Sequence, residues 1–396
     1  MTRRRKSKPE SVMTEELRAI LDAAAAMTSS GQEPRKHHIV PNFYLDRWAV
    51  EGRVKVTDLE NNRYTHEQSP GKALRVTDYY RVAPHAVQGG SPVTWEVWLS
   101  TIEGHAAGVF KAVDERGLQS LDGEQWAGLL QFLAVQITRG RAYRYKARWA
   151  LGPGYYQMWE LGHPGAIEHH LRIRGEDPTP ERIAEMQAYF DQAATDPWSV
   201  PALPESDMDM STRAAPGLAL ALADRQFVIY KTAVPILTSD EPVTLLFEQM
   251  GADHPTGAGY AGAPIIVFPW GPREILAMFR KDMPILRAGD LPLTREESLD
   301  LNQVIAGNAH QYLVESPGRK LAENLFLPEN KPPMRLETLK SEGGKEIVHW
   351  MVQNRWTGEP TAPSRPVPAW WPQFVPVAPK PTEADYERDR QLYYDE

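Results

Sequence analysis

The 396-residue sequence contains no cysteine. That absence excludes disulfides, a thiolate nucleophile and Cys-ligated zinc or iron–sulfur centres together. Long apolar runs are missing as well: stretches such as AAPGLALALA at 214–223 reach about half the length of a membrane-spanning helix. The opening MTRRRKSKPE carries the charge of a secretory signal, but Glu15, Glu16, Arg18 and Asp22 follow where an apolar segment would stand. A cytoplasmic protein with no membrane partner is the expectation. Nor is there an excess of positive charge. A formal net charge of −8 argues against a general nucleic-acid coat, while leaving a local basic patch open. No P-loop, dinucleotide fingerprint, HExxH or GxSxG stands in a supporting context, so the familiar cofactor classes find no motif.

What is present is aromatic and rich in punctuation. The 12 Trp, 15 Tyr and 10 Phe supply apolar area for a real core, and the 34 Pro and 28 Gly imply long, shaped connections. TEELRAILDAAAAM from Thr14 reads as a capped leader helix, and 53–59 with 63–68 as a hairpin turning at Asn61-Asn62. Trp95, Leu99, Ile102, Ala106, Val109 and Phe110 recur at helical spacing until Gly117. A second helix is expected over about 123–150, with Gly140 a weak point in it, and the two pair as an antiparallel hairpin. Helices are also expected at 179–195 and at 211–224, the latter capped by Ser211. The period then changes. RQFVIYK, PILTSDEPVTLLF, PIIVFPW and REILAMF read as antiparallel strands, closed by a helix at 294–311 whose Thr294 and Glu297 have capping-box spacing.

The expected class is therefore α+β: a small N-terminal β element, a central helical hairpin with further helices, and a C-terminal antiparallel sheet with a closing helix. Three divisions suggest themselves. Residues 1–35 form a basic arm and leader helix, 36–325 the α+β core, and 326–396 an extension with a hairpin turning at SEGGK and a proline-rich tail carrying Trp370, Trp371 and Phe374.

The residues able to carry chemistry are spread along the core. They are His37-His38-Ile39-Val40-Pro41 with Phe43-Tyr44-Leu45 and Trp48, then Asp78-Tyr79-Tyr80, Glu96, Glu103, Gln136, Arg139 and Thr238-Ser239-Asp240-Glu241-Pro242. This set resembles domain-of-unknown-function family 4238, a largely bacterial family whose members begin HHxVPxxYLxxF. Trp48 stands where the family usually has Phe, and Glu241 where it usually has Asn. The resemblance extends through FPWGP and NQVIAGNAHQYLVE, over roughly 36–320, and implies no particular reaction. HHIVP also resembles the first strand of His-Me finger nucleases, which need a ββα unit returning an Asn or His; Asn61, Asn62 and His66 fall instead in a turn and strand.

Adjacent histidines on a strand point to opposite faces, so at most one of His37 and His38 is expected to face a site. Glu96 and Glu103 are seven apart, hence on one azimuth of their helix, and Gln136 and Arg139 edge the facing one. The hairpin would bring Glu103 to Gln136 or Arg139, either as a structural ion pair or as a polar pocket in which Arg binds an anion. Asp240 closes an apolar strand, a place for a catalytic carboxylate or for an Asx turn. RGRAYRYKARW at 139–149 interleaves cations with aromatics, as a nucleic-acid contact or a solvated helix face would.

Two functions follow as expectations. One is a hydrolase, a metal-dependent phosphodiesterase or nuclease among the options, in which His37 or His38, Glu103 and Asp240 are catalytic and Gln136 and Arg139 bind an anionic or nucleic-acid substrate. It would allow a divalent metal. The other is a non-catalytic binding protein whose polar residues form a structural network.

Overall fold

The computed structural model describes residues 15–31, 33–61, 63–82, 91–144, 165–173, 176–195, 204–246, 259–283, 285, 289–325, 334–340 and 346–352. Its helices are α1 (Glu15–Ser29), α2 (Thr94–Arg116), α3 (Gly123–Thr138), α4 (Ala166–Ile173), α5 (Pro180–Thr195), α6 (Pro204–Ala223) and α7 (Arg295–Asn308), with short helical turns between them. Strands β1 (Lys36–His38), β2 (Val54–Asp58), β3 (Tyr64–Gln68) and β4 (Arg75–Thr77) precede the helical middle. After it come β5 (Arg225–Lys231), β6 (Thr238–Ser239), β7 (Thr244–Leu246), β8 (Ile265–Gly271), β9 (Glu274–Arg280), β10 (Tyr312–Glu315), β11 (Met334–Lys340) and β12 (Glu346–Val352). The class is α+β with antiparallel sheets. Thr14, the residues from 145 to 149, and the tryptophans of the proline-rich tail lie outside the described residues.

Local chemistry sets the helix ends. Leu99, Ile102, Ala106, Val109, Phe110 and Val113 bury one stripe of α2, which stops at Gly117 with φ of 81°. Asp122 and Gln125 form a reciprocal capping box at the start of α3, and Thr294 and Glu297 do the same for α7. α3 breaks at Arg139-Gly140, the weak point its sequence marks, and residues 141–144 are helical again. The chain turns at Arg139-Gly140, where a Cβ on Gly140 would collide with the Glu241 carboxylate, so only glycine admits this approach. The helix expected from Ser211 begins instead at Pro204; Ser211 lies inside it and donates from Oγ to the Thr138 carbonyl at 2.8 Å, tying α6 to α3.

The N-terminal β element is not separate. β10 inserts between the β2–β3 hairpin and β6, giving one four-stranded sheet in the order β3-β2-β10-β6, with Val56 opposite Val314. The second sheet, β5-β9-β8-β7, is the centre of the molecule. Ile266, Phe268, Trp270, Leu276 and Met278 face α2, α3 and the turn at Asn42–Leu45. On the other face Ile265, Val267, Ile275, Ala277 and Phe279 pack with Leu301, Val304 and Ile305 of α7. A strand pair buried on both faces reads as a continuous apolar run, as PIIVFPW does.

The segment after the histidines anchors that core. Tyr44, Leu45 and Trp48 are fully buried; Tyr44 Oη meets Thr238 Oγ1 at 2.7 Å and donates to the Pro269 carbonyl at 2.8 Å, while Trp48 Nε1 donates to Ile236 O at 2.9 Å. β1 pairs with β4. The two strands after the histidines lead into a 3-10 turn and β4, so no ββα unit forms there. β11 and β12 pair antiparallel, and residues 341–345, where the sequence places their turn, lie outside the described residues.

Candidate functional site

Alternation along β1 sends the two histidines to opposite sides. His37 is fully buried: its Nε2 lies 3.0 Å from the Pro34 carbonyl, its Nδ1 accepts the Tyr80 backbone N–H at 2.7 Å, and its ring stacks on Tyr80. The Pro34 contact requires the proton on Nε2, so the ring is a neutral strut with both nitrogens committed. Burial lowers its pKa, opposed by the Pro34 carbonyl.

His38 faces the other way and is half-buried, directly across from Arg75 in the β1–β4 register. Arg75 Nε donates to His38 Nε2 at 2.9 Å, which places the imidazole proton on Nδ1. Burial, then the Arg75 and Arg139 charges, hold its pKa down at about 4. Nδ1 makes no hydrogen bond of ordinary length, although the Ala73 and Gly71 carbonyls are near enough to oppose that drop.

The helical hairpin supplies the carboxylates. Arg139, one residue beyond α3 and 2% exposed, donates from Nη1 to Glu103 Oε1 at 2.6 Å; the Glu103 side chain is 26% exposed. Gln136 Nε2 donates to Ile39 O at 3.2 Å, fastening α3 to the residue after His38, and Tyr79 Oη donates to Arg139 O at 3.2 Å. Arg139 Nε and Nη2 and Gln136 Oε1 are buried without a hydrogen-bond partner. Such atoms are costly in a packed interior and are a feature of sites built for a ligand.

Glu96 stands seven residues before Glu103 on the same face of α2. Burial, then the neighbouring Glu103 charge, push its pKa up to about 7, against the pull of Arg139 and Arg75. The structure thus gathers His38, Arg75, Glu96, Glu103, Gln136 and Arg139. Arg75 has no signal in the sequence, because its place depends on the pairing of two three-residue strands.

Asp240 is elsewhere. It is 1% exposed, its two oxygens accept the His310 and Gln311 backbone N–H groups at 2.9 Å each, and its own N–H donates to Tyr312 O at 3.1 Å. It clamps the loop between α7 and β10. Burial pushes its pKa up to about 6, opposed by Arg141 and by those N–H groups. The basic residues after α3 are likewise used in packing: Arg144 lies 3.4 Å above the Tyr79 ring centre and donates to Tyr79 O, and Arg141 donates to Gln311.

Among the described residues no group of three or more His, Asp and Glu is placed to hold a metal ion. At Glu96 and Glu103 the neighbouring Arg139 and Arg75 charges oppose a dication. Also among the described residues, no helix is long and apolar enough to cross a membrane. No curated protein and no solved structure matches the chain. A family model does match, over residues 36–319, from the histidine strand to just beyond β10 and so across every residue of the cluster. The chain belongs to the family described as protein of unknown function, DUF4238.

Proposed function

We propose that the chain is a hydrolase acting on an anionic ester, a phosphodiester being the first class to test, by metal-independent acid–base chemistry at Glu96 and Glu103. One observation carries this reading: two carboxyl groups on one helix face sit in unlike environments, one ion-paired to buried Arg139 and one retaining its proton to about pH 7. Carboxyl groups held apart in this way divide into acid and base. Glu103 takes a proton from water as the water oxygen bonds to the ester centre; Glu96 gives its proton to the departing oxygen, and solvent restores both. Arg139, 2% exposed, holds Glu103 in place, and Gln136 fastens α3 to the segment after the histidines.

The second reading, a non-catalytic binding protein, is favoured by a different observation. The bonds from Gln136 to Ile39 and from Arg139 to Glu103 let the same residues lock the segment after β1, α3 and α2 together.

Hydrolysis of bis-p-nitrophenyl phosphate and of carboxylic p-nitrophenyl esters in chelator separates the two. Wild type should show a rate limb with pKa near 7, lost in Glu96→Gln, and Glu103→Gln should slow turnover by ~10²-fold or more. Turnover equal in wild type and both variants, or none on any ester, would leave the locking role alone.

A further inference from the structure

We propose that an open groove at the turn end of the β5–β9 pair binds a small organic phosphate. The groove measures about 630 Å³, within the range of small-molecule sites. Arg47, Lys231 and Arg273 line it against a single carboxylate, Glu274, which stands cross-strand from Lys231. It shares no residue with the Glu96–Glu103 cluster, so the two proposals stand independently.

The walls are fixed before any ligand arrives. Thr232 N–H donates to Arg273 O at 3.0 Å and Ile236 N–H to Pro272 O at 2.9 Å, which pins the β8–β9 turn. Arg47 is held by both oxygens of Asp114, at 2.6 and 3.0 Å, and by the Trp270 carbonyl; its guanidinium lies over the Phe110 and Trp270 rings. With Arg47 largely neutralised by Asp114, the free charge comes from the other two cations. Arg273 spends one N–H on Ala233 O at 3.1 Å, and the Lys231 ammonium makes no ion pair among the described residues. An Arg fork and a mobile ammonium are complementary donors for a phosphoryl group.

The lining also contains a buried hydroxyl without a partner. Thr232 is 5% exposed and its Oγ1 makes no hydrogen bond. Closed even to water, that oxygen belongs to the packed wall and does not donate into the groove. Lys231 and Arg273 offer donors from the strand end and the turn, and a phosphoryl group, with more charge and more acceptor oxygens than a carboxylate, engages both. Glu274 supplies an acceptor for a hydroxyl or amine on the organic part.

Calorimetric titration of the full chain with phenyl phosphate, and in parallel with benzoate, tests the assignment. Lys231 and Arg273 are exposed, so Lys231→Gln and Arg273→Gln should fold normally and each weaken phenyl phosphate binding about tenfold. Lys281→Gln, at an exposed cation on another part of the surface, should leave it unchanged. Absence of phenyl phosphate binding by wild type, or an equal loss in Lys281→Gln, would overturn the site; benzoate binding as tight as phenyl phosphate would overturn the phosphate assignment.

Discussion

Removing the Glu103 side chain leaves Arg139 charged in a place water does not reach. Breaking a fully buried pair costs about 3–5 kcal/mol and an exposed one about 0–1 kcal/mol. Here the cation is 2% exposed and the anion 26%, so Glu103→Ala should cost about 2.5 kcal/mol. Glu103→Gln keeps an acceptor for Arg139 Nη1 and should cost about 1.5 kcal/mol. The reverse deletion is milder: Arg139→Met leaves Glu103 able to turn to solvent, at about 1 kcal/mol. In Glu103→Ala with Arg139→Met no charge is stranded, so the double variant should be more stable than the sum by about 1–2 kcal/mol. Urea unfolding with constant m-value measures each term, and the coupling should persist in 1 M salt because burial shields the pair from screening. Additivity within about 0.5 kcal/mol, or loss of the coupling in salt, would refute the placement of Arg139 as a buried cation that depends on Glu103.

Two further outcomes follow from the titrating groups. Glu96, raised to about 7, binds its proton more tightly folded than unfolded, so its contribution is full below its ordinary pKa and is lost as pH rises through 7; His38, held at about 4, contributes above its ordinary pKa and loses that as pH falls towards 4. Asp240, also raised, to about 6, adds to the falling slope of Glu96 against the rising one of His38, so urea midpoints from pH 4 to 8 should show Glu96→Gln losing less stability than wild type as pH rises. Asp240→Asn turns an amide donor towards a backbone N–H and should cost about 1–3 kcal/mol by urea unfolding, while ester turnover per folded molecule stays at the wild-type value; a selective loss of turnover would bring Asp240 back into the reacting site.

Features governed by local spacing were legible in the sequence. The seven-residue interval from Glu96 to Glu103 and the three from Gln136 to Arg139 narrowed the partner of Glu103 to Gln136 or Arg139, of which the fold pairs Arg139, and the Thr294–Glu297 spacing announced the start of α7. Features governed by remote partners were not. The approach of the Glu241 carboxylate to Gly140, and the place of Ser211 inside a helix bonded to Thr138, are of this kind. The histidine pair shows both sides of this. Strand alternation required one ring to point in and one out, but only the positions of Pro34, Tyr80 and Arg75 decide that His37 is committed to the backbone and His38 accepts from Arg75. Arg75 itself, and the groove around Lys231 and Arg273, depend on strand register and turn geometry that residue spacing does not encode.

The insertion of β10 beside β2 also sets an order of assembly. During synthesis the β2–β3 hairpin emerges early, but the edge of β2 that carries Val56 stays open until the chain has been made past Val314. Closing that sheet brings together segments from opposite ends of the core, a pairing of high contact order that pays its loop entropy late. The nascent chain therefore carries a bare strand edge for most of its elongation. A ribosome stalled before Tyr312 would hold a chain with its central helices made and its first sheet still unsealed, the state in which this protein is most open to aggregation and to chaperone capture.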